Sequence, residues 1–304
     1  MTAGSCFAAH LGQSLLNRGM NWLDTEPPPP GLSASERSAR QYGLFSFRTG
    51  NIYTAASLRQ WVAWALGENS VPEQSWLKGQ RHFDPYRPSI EPDGYPSLAD
   101  MLAARQATIT RMRRALGDAQ CLIFTLGLTE GWLDAIDDTV YPMCPGTLHG
   151  TFEPGRHVFH NYSFAEIHSD LTDTIDCLNA VNTNLRVVLT VSPVPLTATA
   201  TGQHALVAST YSKSVLRAVA GQLAMERTNV DYFPSYELVT GSPFRGRFFA
   251  PNLRTVTPEG VAFVMRQFVD GFSGIPAGPA IGAATRNEED AVCDDEILDY
   301  YRSR

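Results

Sequence analysis

Gly4-Ser5-Cys6-Phe7-Ala8, running straight into Ala9-His10-Leu11-Gly12-Gln13-Ser14-Leu15-Leu16, is the stretch from which the rest of the chain can be read. Two small residues precede Ser5 and an apolar helical pattern follows Cys6, which together describe a tight turn entering a helix. A serine so placed has an exposed hydroxyl and stands beside N–H groups that a helix N-terminus leaves without intrahelical partners. A nucleophile next to an oxyanion site needs that geometry, so Ser5 is the candidate nucleophile. The plainer reading is that Ser5 only caps the first helix.

A chain of 304 residues can bury a substantial core, and 43% hydrophobic with 18% charged residues fit a globular protein. The net charge is −7, lysine is confined to Lys78 and Lys213, and the arginines form no basic stripe, which argues against a nucleic-acid partner. Five cysteines (Cys6, Cys121, Cys144, Cys177, Cys293) without CxxC spacing indicate neither a disulfide framework nor a zinc site, and a reduced cytoplasmic setting is the default. Nothing in the sequence calls for a cofactor. No basic segment followed by a short apolar run opens the chain, and no run of about 18 apolar residues occurs, so neither a leader nor a membrane span is expected.

Downstream, Thr49-Gly50-Asn51-Ile52-Tyr53-Thr54 leads into an amphipathic helix over residues 55–66, and the Gly50-Asn51 pair offers backbone and amide donors at that junction. Residues 67–96, with five prolines, read as a long functional loop rather than a folded unit. After a helix over 98–116, Ala119 to Thr125 is a short apolar run suited to a buried parallel strand. Polar groups just beyond it, Gly127, Thr129 and Glu130, fall where open α/β sheets do their chemistry. Residues 141–161 form a Pro/Gly-rich insertion holding His149, His157 and His160, whose spacing matches no metal motif. Helix 164–181, strand 185–191, helix 205–226 behind His204, strand 229–233 and helix 261–268 behind Thr257-Pro258 complete the pattern. Helices alternating with strands over long crossovers imply a three-layer α/β/α sandwich on a mostly parallel sheet.

Several blocks are similar to those of the GSCFA family: Gly4 to Ala8, Gly50-Asn-Ile-Tyr-Thr54, Phe124 to Glu130, Tyr141-Pro142 with Cys144-Pro-Gly146, Ser192-Pro-Val-Pro-Leu196, Tyr211-Ser-Lys-Ser214 and Tyr232 to Glu237. That family in turn resembles the SGNH (GDSL-like) hydrolases. The resemblance implies that Ser5 is the nucleophile and its own N–H an oxyanion donor. It places Gly50 in the second block, and Gly127 and Thr129 where a Gly-x-Asn is usual, a hydroxyl replacing the amide. It also implies an aspartate and a histidine just before the last helix, and here the chain departs from the pattern, for Arg254 and Thr257 stand in those places. An apolar strand before the Gly4 turn is expected to be lacking. The domain is expected to cover residues 1–275, followed by an acidic, mobile tail over 276–304.

Two functional classes follow. One is an esterase or O-acyltransferase acting on the acyl group of a carbohydrate, with a base recruited from elsewhere. His204 is the choice, because it follows the strand end at residues 192–195, with Asp231 or Glu130 to orient it. The other is a non-catalytic binding protein that retains the pocket. Thiol chemistry at Cys6 is a third reading, set aside because Cys6 is expected to face the helix packing. Trp76, Trp132 and Tyr141 offer faces for stacking a sugar, although aromatics of this kind commonly serve the core.

Overall fold

The run from Cys121 to Leu126 alternates in burial partner as a strand covered on both faces must. Leu122, Phe124 and Leu126 pack into one apolar cluster and Ile123 into another, and on the neighbouring strand Val187, Leu189 and Val191 join the first while Val188 joins the second. Two cores, one on each face of the sheet, make the molecule three-layered. The computed structural model describes residues 1–271, and the tail expected from 276 lies outside the described residues.

In chain order the elements are β1 (Thr2–Gly4), α1 (Phe7–Asn17), α2 (Ala34–Ala39), α3 (Ala55–Leu66), β2 (Trp76–Lys78), β3 (Arg81–Phe83), α4 (Leu98–Asp118) and β4 (Cys121–Leu126). There follow β5 (Glu130–Asp134), β6 (Val140–Tyr141), β7 (His157–Asn161), α5 (Phe164–Val181), β8 (Arg186–Val191), α6 (Ala205–Glu226), β9 (Val230–Phe233), α7 (Ser235–Thr240) and α8 (Pro258–Gly271). The central sheet has the order β1-β4-β8-β9 and every pair in it is parallel, so this is an α/β fold with a mostly parallel sheet flanked by helices. Thr54, Ser97 and Ser163 cap α3, α4 and α5 with their hydroxyls, each satisfying an N–H that the first turn leaves open.

Two features differ from the sequence reading. A strand does precede the Gly4 turn: Thr2–Gly4 pairs with Ile123–Thr125, and the free edge of this short β1 is covered by Ser46 and Ile52, whose N–H groups donate to Thr2 and Gly4 carbonyls. The stretch 141–161 is no plain insertion, since its β7 joins β5 and β6 in a small antiparallel sheet of order β6-β5-β7. Its histidines have separate structural partners. His149 stacks on Phe83, the Nδ1 of His157 accepts from the Glu153 N–H, and His160 pairs with Glu166.

Long loops between α1 and α4 are tied down by a buried charge network rather than by regular structure. Asp84 accepts from Arg87 at 2.8 Å and from Arg105 at 3.1 Å, Arg87 donates to the Thr108 hydroxyl, and Thr108 donates to Glu26. Burial alone would raise the Asp84 carboxyl, but Arg105 and Arg87 more than offset it and hold it below its ordinary value. Removing one member of such a set strands the others without compensation. Asp84→Ala is therefore expected to cost about 3–5 kcal/mol in urea unfolding. In the wild type the contribution of Asp84 is present above the ordinary carboxylate range and lost as pH falls through its lowered folded value.

At the end of β1 the chain lies against the Thr125 backbone of β4. Gly4 has φ +132°, and a Cβ built there would lie 2.4 Å from the Thr125 carbonyl oxygen and 2.6 Å from its nitrogen. Both the backbone angle and the space exclude a side chain. Gly4→Ala is expected to destabilise the fold by roughly 3 kcal/mol or more, combining backbone strain with overpacking. Thermal melting would check it, and a melting temperature within a degree or two of the wild type would count against the constraint.

Candidate active site

Ser5 leaves β1 with its N–H donated to the Thr125 carbonyl at 3.0 Å, and its own carbonyl accepts from Ala8 as α1 begins. The turn alone suggests an exposed hydroxyl, but Ser5 is only 2% exposed and its Oγ has no hydrogen-bond partner among the described residues. It lines a cleft of about 200 Å³ at the carboxyl ends of β1, β4 and β8. Facing it are Tyr53, Gly127, Glu130 and Trp132, with residues 194–200 beyond β8 forming another wall. A larger cavity of about 440 Å³ lies between α1 and α8 and does not include Ser5. There burial lowers the His10 pKa to about 4, so that imidazole is neutral at physiological pH.

Three segments interlock around the nucleophile position. The Ile52 N–H donates to the Gly4 carbonyl, and the Tyr53 carbonyl accepts from both Gly127 and Leu128. Gly127 lies so close that a Cβ on it would stand 3.0 Å from the Tyr53 carbonyl oxygen and 3.3 Å from the Ser5 Cβ. Ser5, Gly127 and Glu130 of the expected site residues are thus brought to one cleft. Gly50 and Asn51 line an adjoining hollow of about 10 Å³ that shares Tyr53, Pro142 and Met143 with the cleft. Cys6 does not turn into the helix packing as expected, for it lines the cleft beside Ser5 and is only half-buried.

Other expected residues lie elsewhere. Thr129 is fully buried and is not among the lining residues, its N–H being donated to Ser212 Oγ and its hydroxyl to Asn161 Oδ1. The N–H groups of Ser5 and Gly127 are likewise donated, to Thr125 and Tyr53. His204 caps α6: its Nδ1 accepts from the Leu206 N–H at 3.2 Å, its side chain is exposed, and the chain leaves the cleft at Ala200, before reaching it. Asp231 sits on β9, at the opposite edge of the sheet from β1, where its exposed carboxylate pairs with Arg186 at 2.6 Å. Glu130 Oε1 accepts from the Thr199 hydroxyl at 2.6 Å and Oε2 from the Ala200 N–H at 3.3 Å, so this carboxylate holds the wall of the cleft. Thr257 caps α8 through Gly260 and does not line the cleft, whereas Arg254 does. No histidine is among the lining residues.

A residue that the sequence reading passed over stands behind this surface. Lys213, on α6, is 3% exposed and donates from Nζ to the Gly127 carbonyl at 2.5 Å. No carboxylate pairs with it among the described residues, and burial pushes its pKa down to about 7, with Cys6 partly opposing the shift. An unpaired buried lysine is costly, and such groups gather at functional sites. The sequence signal was its isolation: it is one of two lysines in the chain and sits inside the quoted block Tyr211 to Ser214.

Among the described residues no group of three or more His, Cys, Asp or Glu is arranged to hold a metal ion, and no helix is long and apolar enough to cross a membrane. No curated protein matches the chain. Among solved structures, an acetyl xylan esterase from the rumen bacterium Butyrivibrio proteoclasticus is similar at 14% identity and a TM-score of 0.34, over 89% of this chain and 62% of that one. The chain thus spans less than two thirds of that structure's length. The glycine turn, the serine behind it and the interlocked second and third blocks accord with a match between residues 1–268 and the model of the GSCFA family, and the chain belongs to that family.

Proposed function

We propose that the chain is a serine esterase or O-acyltransferase acting on an O-acyl group of a carbohydrate, with Ser5 as nucleophile. The observation that carries this reading is the Ser5 hydroxyl, buried at the cleft, without a hydrogen-bond partner among the described residues and set on a turn that only glycine can make. Leaving a buried hydroxyl unsatisfied costs about 1–3 kcal/mol, and such orphans in folded proteins require an explanation. Trp132 and Tyr53 give the cleft aromatic walls suited to a sugar ring.

In this reading the proton acceptor is Lys213, in place of His204. Its support is the place of Gly127, which lines the cleft with Ser5 and whose carbonyl receives the Lys213 amine, and an amine free enough of its proton near neutrality to act as a base. Neutral Lys213, which does not itself hydrogen-bond Ser5 Oγ, takes the Ser5 proton through one intervening water as Oγ bonds to the acyl carbon and the carbonyl electron pair moves onto oxygen. The developing oxyanion lies against the N-terminal turn of α1. Collapse breaks the bond to the sugar oxygen, which receives the proton from the Lys213 ammonium, and water or an acceptor hydroxyl then repeats the sequence on the acyl-serine.

A non-catalytic binding protein is the second reading. It is favoured by the N–H groups of Ser5 and Gly127 and both donors of Thr129, all of which already have partners within the chain.

Hydrolysis of 4-nitrophenyl acetate separates the two. Ser5→Ala is expected to lower kcat/KM by more than about 10³-fold. Loss on Cys6→Ala with retention on Ser5→Ala would move the nucleophile to the thiol, and no wild-type turnover above buffer would leave the binding protein.

Because the base must be deprotonated, kcat/KM should rise with pH and level off above about 7, and Lys213→Met should abolish that limb. Stability gives an independent check. The folded pKa is lowered from 10.5 to about 7, so between these values the unfolded chain binds more protons. The burial cost is full below about pH 7 and disappears as pH rises towards the unfolded value. Lys213→Met is accordingly expected to melt above the wild type at pH 6, with the difference closing in alkali. Equal melting at both extremes would remove the case for an unpaired buried amine.

A further inference from the structure

Arg254 occupies the place where the family resemblance leads one to expect the acid of a triad, and it brings the opposite charge to the same cleft. Its Nε is shielded from solvent without a hydrogen-bond partner, and its guanidinium makes no ion pair among the described residues. Most buried or half-buried arginines of this chain behave otherwise: Arg48, Arg87, Arg105 and Arg156 all hold carboxylates. A guanidinium with an idle Nε edge offers the fork that a carboxylate or phosphate accepts in bidentate fashion.

No carboxylate of the cleft pairs with it among the described residues. Glu130 is the acid among the lining residues, and both its oxygens are engaged by Thr199 and Ala200. Behind Gly127 stands Lys213, also without a carboxylate. Arg254 thus brings positive charge to a cleft in a protein whose net charge is −7. Arg254 is also held ready. Asn252 Oδ1 accepts from the N–H groups of Arg254 and Thr255, Asn252 Nδ2 donates to the Thr255 hydroxyl, and the Ala250 N–H donates to the Thr255 carbonyl. The backbone that presents Arg254 is thereby fixed.

We propose that Arg254 is the anchor for an oxyanion on the substrate, so that the cleft takes an acidic sugar in preference to a neutral one. The inference rests on the reading of the Ser5 cleft as the substrate site, but binding tests it apart from turnover. The anion is a uronate carboxylate or a sugar phosphate, and the two are separate arms of the experiment.

Calorimetric titration of full-length Ser5→Ala with methyl glucuronide, glucose 6-phosphate and methyl glucoside is expected to show binding of at least one anionic sugar about 10-fold or more tighter than the neutral one, in line with the strength of charge-assisted hydrogen bonds. The better of the two anions identifies the group. Adding Arg254→Gln should remove that preference, and Arg254→Lys, which keeps the charge but loses the fork, should restore part of it. In turnover, the wild type should favour mono-4-nitrophenyl succinate over 4-nitrophenyl acetate, and Arg254→Gln should collapse the ratio. Equal binding of all three sugars, no measurable binding of any, or an anion preference that survives in a folded Arg254→Gln variant overturns the proposal. Arg254-dependent binding in a protein without esterase activity would uphold it while removing the acyl-transfer reading. Ester hydrolysis with no preference for the anion would do the reverse.

Discussion

The approach of Gly4 to the Thr125 backbone is the contact on which the arrangement of the cleft depends. Only a residue without Cβ can lie so close at φ +132°, and the closeness lets three residues of β1 join β4 in register before the chain turns into α1. A strand that short has few ladder bonds of its own. Its other edge is therefore closed by Ser46 and Ile52, and the segment carrying Ile52 continues to Tyr53, whose carbonyl takes the N–H groups of Gly127 and Leu128. Ser5 is fixed at the point where these three stretches meet. Its position is a consequence of backbone packing, with no side chain needed to hold it.

That arrangement explains why the donors expected to serve an oxyanion are occupied. The same N–H groups that face the cleft in the sequence reading are the ones that tie the blocks together, so structural and catalytic uses compete for them. Lys213 shows the converse. It contributes a single hydrogen bond to the Gly127 carbonyl, at the expense of burying an amine, and an apolar residue of similar length would fill the space without that cost. Retaining it is understandable if the amine acts on the site beside it.

Much of the fold was legible because its signals are local. The apolar runs at 119–125 and 185–191, the capping serines Ser97 and Ser163, and the Thr257-Pro258 start each report on a few neighbouring residues, and β4, β8, α4, α5 and α8 lie where these signals put them. The short strands β1, β5, β6 and β7 were not legible, since two to five residues carry no period of their own and exist only through pairing with distant partners. Within the site, Ser5 could be read from its turn into a helix, and Gly127 and Glu130 from their positions after a strand. Arg254 could not, because what distinguishes it is the absence of a carboxylate nearby, and an absent partner leaves no mark on the sequence; Lys213 left only the mark of its rarity, as one of two lysines in the chain. His204 illustrates the opposite error: chain order put it after a strand end on the cleft side, but the 194–200 segment fills that rim and delivers His204 to solvent as a helix cap.

The turn before α8 ties these observations together. In the pattern that the chain resembles, this turn brings an acid and a base to the serine; here Thr257 is used up as the cap of α8, and Arg254 alone reaches the cleft. A cation on that rim cannot orient a histidine or accept a proton near neutral pH. In the reading proposed above, its charge favours an anion in the cleft, whether on a bound sugar or on the oxygen of a tetrahedral intermediate. The lowered pKa of Lys213 has a separate origin, the burial of its amine behind Gly127 without a carboxylate, so the base proposed here owes its neutrality to desolvation and not to Arg254.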